Sequence, residues 1–182
     1  MKTKVILIII LILIILCGVF WIVSEKNETE KSEEYQPEEE LSVNEERKTM
    51  VSLYFRNKTT GKIEPEVRLI DVKELVNQPY ETILNLLLEG PKKDTLETAI
   101  PEETKVNKTT LKGETLWIDF SDDFINNHQG GKEKEQQTIE SLVKTFTDLT
   151  EINSIKILIN GQEGKAFEDG EINFETIFIK EE

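Results

Sequence analysis

Apolar residues recur at every second position in several short segments of the chain, which predicts β-strands. The first strand is predicted over residues 50–55, where Val51, Leu53 and Phe55 share one face. A second strand is predicted over 67–72. Further along the chain, segments 105–111 and 114–120 are predicted to form a hairpin around Lys112-Gly113, the strongly apolar run 155–159 is predicted to be a strand, and a final strand is predicted over 172–179.

Two other segments show the three- and four-residue spacing of an amphipathic helix. The first begins at Pro79 and ends at Gly90-Pro91, because proline suits a first helical turn and glycine a position just past the last one. The second covers about 133–149. The apolar stripes are Tyr80, Ile83, Leu84, Leu87 and Leu88 in the first helix and Ile139, Leu142, Val143, Phe146 and Leu149 in the second.

The predicted order of elements is ββαββαββ. So many adjacent strands do not suit a doubly wound parallel sheet, in which strands and helices alternate. We therefore predict an α+β fold, with a mixed or mostly antiparallel sheet and two helices on one face.

The N-terminal segment 5–23 is uncharged and long enough, as a helix, to cross the hydrocarbon core of a bilayer. Lys2 and Lys4 precede it, whereas ten glutamates lie within 24–48. The positive-inside tendency therefore predicts that residues 1–4 are cytoplasmic and that the rest of the chain is exported. A cleaved signal peptide is the less favoured alternative, because the apolar core is long and no Ala-x-Ala follows. Another alternative is a lipoprotein modified at Cys17, although Leu16 is a bulky residue to precede a lipid-modified cysteine.

The segment 24–48 is predicted to be a disordered acidic linker, because it has too few apolar residues to offset the entropy of ordering. The remaining residues, 49–182, form one predicted extracytoplasmic domain. The formal charge of −14 divides into +2 before the linker, −6 in the linker and −10 in the domain. This acidity argues against nucleic-acid binding, which needs clustered Lys and Arg.

Candidate chemistry is sparse, and no sequence motif indicates an enzyme, a cofactor or a resident metal. Trp117 alternates with core-facing residues of its strand, so it is a candidate contact for a sugar ring or a protein partner. His128, the only histidine, lies in a polar loop between helical segments. We interpret it as an exposed loop imidazole, with a ligand or partner contact as the alternative.

Seven groups of residues between Val51 and Gly161 follow one another in a characteristic order. They are Leu53-Tyr54-Phe55; Val67-Arg68; Leu84, Leu87 and Leu88 before Gly90-Pro91; Ile100-Pro101 with Thr104 and Val106; Ile118-Asp119-Phe120-Ser121 with Phe124; Ile139, Leu142-Val143 and Thr145-Phe146-Thr147; and Ile155, Ile157-Leu158-Ile159 and Gly161. In these groups the domain resembles the GerMN domain of bacterial sporulation and germination proteins.

The resemblance implies a non-catalytic domain outside the membrane, similar in fold to the ring-building modules of envelope-spanning complexes. We therefore expect a membrane-anchored interaction or assembly module, linked to sporulation or germination, that contacts other envelope proteins or copies of itself. The alternative is a module that binds peptidoglycan glycan or peptide. The family offers no catalytic residues to transfer to this sequence.

Overall fold

The computed structural model describes residues 47–168, 170 and 172–180. Within these ranges, no helix has both the length and the apolar character that a membrane crossing requires. The predicted anchor over 5–23, and the predicted linker up to residue 46, lie outside the described residues. Both stay predictions.

The first sheet has three antiparallel strands in the order β2-β1-β3. They are β1 (Lys48–Asn57), β2 (Ile63–Asp71) and the short β3 (Leu96–Glu97). β1 pairs with β2 over nine residue pairs, but with β3 only through Arg56 and Asn57. Most of one side of β1 is therefore left to contacts other than strand pairing.

The second sheet is mixed and has the order β4-β5-β6-β7. Its strands are β4 (Val106–Lys112), β5 (Thr115–Phe120), β6 (Ser154–Ile159) and β7 (Phe178–Ile179). The β4–β5 and β6–β7 pairs are antiparallel, whereas β5 and β6 are parallel. A parallel pair needs a long crossover connection, which explains the helix between β5 and β6.

Four helices connect these strands: α1 (Val72–Asn77), α2 (Pro79–Leu88), α3 (Asp123–Asn126) and α4 (Lys132–Thr147). Helix α2 contacts β1 and β4, so it packs against both sheets, and α4 contacts β1 and β6 in the same way. The apolar residues from both sheets and both long helices form a single core, which includes Val51, Leu53, Phe55, Leu84, Leu87, Leu116, Ile118, Phe120, Phe124, Leu142, Phe146, Ile155, Ile157 and Ile159.

The prediction of an α+β fold with mixed strand pairing is confirmed. The strands are, however, divided between two sheets, and the structure adds β3 and the short helix α1. The last strand is also shorter than predicted: only Phe178–Ile179 of 172–179 pairs as a strand. The Phe174 ring packs against Phe124 and Phe167, and an isolated antiparallel bridge joins Asn173 to Ala166, so aromatic packing and this bridge hold that segment in place.

Candidate functional site

The outer face of the first sheet exposes a group of apolar side chains. The register places Met50 opposite Leu69, and Val67 opposite Ser52, so Met50, Val67 and Leu69 lie on one face of the β1–β2 pair. Their exposed fractions are 71%, 57% and 69%. We call these three residues the apolar β1–β2 face. Exposed apolar residues that cluster in this way indicate an interaction surface more often than apolar residues scattered singly do.

The opposite face of β2 is polar but buried. Glu66 and Arg68 are only 3% and 6% exposed, and Arg68 Nε donates to Glu66 Oε1 at 2.6 Å. The guanidinium also donates to the carbonyl of Gly90 at 2.8 Å. The backbone N–H groups of Lys92 and Lys93 donate to the Glu66 carboxylate at 2.8–3.1 Å. This arrangement ties the loop after α2 to the inner face of β2.

The hydrogen bonds around Glu66 also set its pKa. Burial by itself would raise the pKa of the carboxyl group, because it disfavours the charged form. The amides of Lys92 and Lys93 and the charge of Arg68 outweigh that effect, so the pKa of Glu66 lies below its ordinary value of 4.5. The Glu66 carboxyl group therefore stays ionised near neutral pH.

The edge of β1 that faces away from β2 is covered by α4. Ser141 Oγ donates to the carbonyl of Tyr54 at 2.5 Å, and Tyr54 N–H donates to Thr145 Oγ1 at 3.1 Å. The two hydroxyl residues are four positions apart, so they project from the same side of the helix. This contact explains why two polar residues of α4 are almost fully buried.

The bonds of Tyr54 also show which way the backbone of β2 points. In an antiparallel pair, residues that do not bond to each other direct their N–H and C=O groups away from the partner strand. Tyr54 is opposite Pro65, which has no N–H, and its own groups point to α4. By the same alternation, Val67 and Leu69 direct their backbone groups out of the sheet. In the described part of the chain, no strand pairs with that outer side of β2.

A polar cleft of about 630 Å³ lies on another part of the domain. The described residues that line it are Arg56, Glu97, Thr98, Ala99, Ile100, Pro101, Glu102, Glu103, Asn127, His128, Gln129, Lys134 and Gln137. Arg56 is held at one side by Glu97 at 2.7 Å and by Gln137 Oε1 at 3.3 Å. No Phe, Tyr or Trp is among the described lining residues, and the aromatic ring among them is the small imidazole of His128, so the cleft offers no large aromatic face on which a sugar could stack.

His128 lines this cleft but is not the exposed loop imidazole expected from the sequence. It is half-buried, and its ring centroid lies 4.4 Å from that of Phe167. Its Nδ1 accepts from Gly130 N–H at 3.0 Å, and its Nε2 lies 2.9 Å from Thr138 Oγ1. Since Nδ1 accepts, a neutral ring carries its proton on Nε2 and donates it to Thr138. These bonds fix the loop before α4.

Trp117 lies elsewhere, on β5, and is not among the residues that line the cleft. The neighbouring residues Leu116 and Ile118 point into the core, and the indole is half-buried on the other face of the sheet. Lys112 Nζ lies 3.4 Å from the ring centroid, a cation–π contact that occupies one face of the indole. The structure therefore does not bring Trp117 and His128 together.

Sequence reasoning did not identify the apolar β1–β2 face. Val67 and Leu69 read as ordinary strand residues, whose apolar character suggests burial. The signal that could have identified them is Glu66 and Arg68, two opposite charges at alternate positions of a strand. Such residues can pair on one face, which leaves the intervening apolar residues on the other.

A family profile described as Germane, sporulation and spore germination, matches residues 52–165 of the chain. Over 151 residues the chain is 28% identical to the spore germination protein GerM of Bacillus subtilis (strain 168). That alignment covers 81% of this chain but 38% of GerM. The chain therefore spans well under half the length of this curated relative.

The solved structures agree with the sequence match. The tandem GerMN domains of GerM from Bacillus subtilis are 27% identical, with a TM-score of 0.57, over 68% of this chain and 43% of theirs. The first GerMN domain of GerM alone gives 26% identity and a TM-score of 0.56, over 67% of this chain and 90% of that domain. A Clostridium perfringens protein described as a lipoprotein gives 28% identity and a TM-score of 0.51, over 73% and 88%.

The resemblance to the GerMN domain is thus confirmed by sequence and by structure. The match covers 90% of the single GerMN domain but 43% of the tandem pair, which corresponds to one copy of the fold. The chain belongs to the Germane family of sporulation and spore germination domains.

Proposed function

We propose that the domain is a non-catalytic protein-interaction module of sporulation or spore germination, held at the outer side of the membrane by the segment 5–23. The observation that carries this proposal is the apolar β1–β2 face, next to the open edge of β2. Burial of an exposed apolar side chain stabilises a complex by about 25 cal/mol per Å², so these residues favour association.

Two further observations support a binding role over catalysis. Glu66 and Arg68 bond to each other, and Arg68 also bonds to the loop at Gly90, so these two side chains have a structural role.

His128 is likewise held between Gly130 and Thr138. With Nδ1 accepting from Gly130, the neutral imidazole donates to the Thr138 hydroxyl. That hydroxyl itself donates to the carbonyls of Ala99 and Lys134, so His128 is not arranged to take a proton from it as a general base would.

Membrane attachment is supported by the uncharged segment 5–23 and by the relatives. One similar structure, from Clostridium perfringens, is described as a lipoprotein. A lipid at Cys17 and an uncleaved helix would both hold the domain at the same surface. The proposal therefore does not depend on which of the two anchors the chain.

The test is reversible crosslinking of the full-length, tagged chain in sporulating cells of its native organism, followed by identification of the captured proteins. The decisive variant is Leu69→Asp, and the matched control is Val76→Asp, because Leu69 and Val76 are equally exposed at 69% and 70%. Leu69→Asp should lower the yield of the captured partner by at least about tenfold, equivalent to about 1.4 kcal/mol. Val76→Asp should leave the yield unchanged. A partner captured equally by both variants would refute the role of this face.

Peptidoglycan binding remains the alternative function. The polar cleft could accommodate a short peptide, but Trp117 lies outside it and carries Lys112 on one ring face. A glycan stacked on Trp117 would have to displace that lysine or use the other face. The apolar β1–β2 face, which suits a protein partner, is therefore the better-supported site.

A further inference from the structure

We propose that the occupant of the open β2 edge is a second copy of this chain, paired antiparallel through β2 around a two-fold axis at Val67. The inference rests on the proposed interaction function and adds the partner and the register. It would join two three-stranded sheets into one continuous sheet, with the apolar β1–β2 faces of both copies on the same side.

The backbone of β2 supplies the groups that such pairing needs. Val67 and Leu69 direct their N–H and C=O groups out of the sheet, as the contacts of Tyr54 with α4 establish. In an antiparallel arrangement centred on Val67, the two Val67 residues exchange both backbone hydrogen bonds. Each Leu69 N–H then donates to the carbonyl of Pro65 in the second copy, so the missing N–H of Pro65 affects only the reciprocal bond.

Charge and the position of proline disfavour the axes on either side of Val67. An axis at Val67 places Glu66 opposite Arg68 of the second copy, and Arg68 opposite Glu66. An axis at Glu66 or at Arg68 would place like charges directly opposite each other, which is destabilising. An axis at Pro65 would place the two prolines opposite each other, where neither has an N–H to donate.

The side chains on the outer face also suit this register. The two Val67 side chains meet across the axis, and each Leu69 lies opposite Pro65 of the second copy. Met50 lies next to Leu69 on the neighbouring strand of its own sheet. These four residues, Met50, Pro65, Val67 and Leu69, are all exposed in the single chain, so pairing would remove apolar surface from water.

Cysteine crosslinking in membranes that contain the full-length chain tests both the partner and the register. Cys17 is the only cysteine, so the background carries Cys17→Ala. Single variants Val67→Cys, Leu69→Cys and Val76→Cys are then oxidised without a spacer at physiological ionic strength, which screens repulsion between the two acidic domains beyond about 8 Å. All three positions are exposed, at 57%, 69% and 70%.

The proposal predicts a disulfide-linked homodimer for Val67→Cys, because directly opposite bonded residues have Cα atoms about 5.5 Å apart, within the range of a disulfide. Leu69→Cys should give at least about tenfold less dimer, since Leu69 lies opposite Pro65 of the second copy and not opposite its own counterpart. Val76→Cys should give similarly little dimer, because Val76 lies on α1, outside the paired strand. Leu69→Cys should instead crosslink to a co-produced chain that carries Pro65→Cys.

Equal dimer yields at Val67 and Leu69 would overturn the register, and the absence of a homodimer at Val67 would overturn self-pairing. Neither result would remove the proposed function if the partner captured in sporulating cells still depended on Leu69. If the captured partner no longer depended on Leu69 but the Val67 homodimer still formed, the face would bind a second copy of the chain and not a different envelope protein.

Discussion

In the three-stranded sheet, the side of β1 that faces away from β2 is covered by other elements of the domain, whereas the outer edge of β2 is open. On the β1 side, Ser141 and Thr145 of α4 satisfy the backbone of Tyr54, and β3 pairs with the end of the strand. On the β2 side, no strand among the described residues pairs with the outer edge, and Val67 and Leu69 stay exposed. Natural proteins usually protect an edge strand, because an open edge is a template for pairing with another chain. The contrast therefore identifies β2 as the edge left available for a partner.

The open edge strand β2 is nevertheless hydrogen-bonded to the rest of the domain through its inner face. Glu66 and Arg68 connect the inner face of β2 to the loop at Gly90–Lys93, so these hydrogen bonds favour the extended strand before it binds anything. A preorganised strand loses less conformational entropy on binding than a flexible one. The comparison can be tested by weakening the support of each edge in turn.

The largest effect is expected from Arg68→Met, which leaves the buried Glu66 carboxylate without its cation. Removing one partner of a buried ion pair costs about 3–5 kcal/mol of unfolding free energy. We expect a loss of about 3 kcal/mol, because the amides of Lys92 and Lys93 still stabilise the carboxylate. The measurement is urea unfolding of the full-length chain in detergent, followed by Trp117 fluorescence in a Trp21→Phe background.

The control for that variant is Arg56→Met, because the Arg56–Glu97 pair is more exposed, at 20% and 37% of the side chains. Partly exposed pairs contribute about 0–1 kcal/mol. Equal destabilisation by the two substitutions would show that the buried pair has no special role in supporting β2.

A smaller effect is expected from Ser141→Ala, which removes the donor to the Tyr54 carbonyl at the covered edge. An unsatisfied buried acceptor costs about 1–3 kcal/mol, and the better helix propensity of alanine offsets about 0.5 kcal/mol. We therefore expect a loss of about 1–2 kcal/mol in the same unfolding experiment. Thr147→Val is the matched control, because the Thr147 hydroxyl bonds only to Val143 of its own helix. A loss no greater than that of the control would contradict the capping role of Ser141.

The smallest effect is expected in the pH-dependent part of the stability, which the titration of Glu66 controls. Its pKa is lower in the folded chain than the ordinary value of 4.5, so its contribution to stability is present above that pH and is lost as pH falls through the folded value. Glu66→Gln should therefore differ most from the wild type near neutral pH, and the difference should shrink as the pH is lowered below about 4.5. Unfolding free energies measured between about pH 6 and pH 3 provide the test. A difference that is constant across this range would contradict the pKa direction.

The elements that local spacing specifies were predictable. Val51, Leu53 and Phe55 all face the core, as the alternation in β1 predicts. Helix α2 begins at Pro79 as predicted, and α4 covers Lys132–Thr147, close to the predicted 133–149. These features depend on neighbouring residues in the sequence, so a pattern of period two or 3.6 is sufficient to find them.

The candidate sites were less predictable, because they depend on residues far apart in the chain. The half-burial of His128 comes from Phe167 and Thr138, neither of which lies in its own loop. Similarly, the orientation of β2 depends on the loop at Gly90–Lys93, which satisfies Glu66 and Arg68. A strand pattern alone does not show which of its faces will find such partners.

The sequence by itself therefore determined the α+β class and most of the secondary structure, since propensity and periodicity are local properties, and the order of its residue groups carried the resemblance to the family. The tertiary structure decided the division into two sheets, the burial of an ion pair in β2 and the exposure of Met50, Val67 and Leu69. The physical reason is that a charged side chain can be buried only where an opposite charge and hydrogen-bond partners stabilise it. Those partners are brought together only when the chain folds.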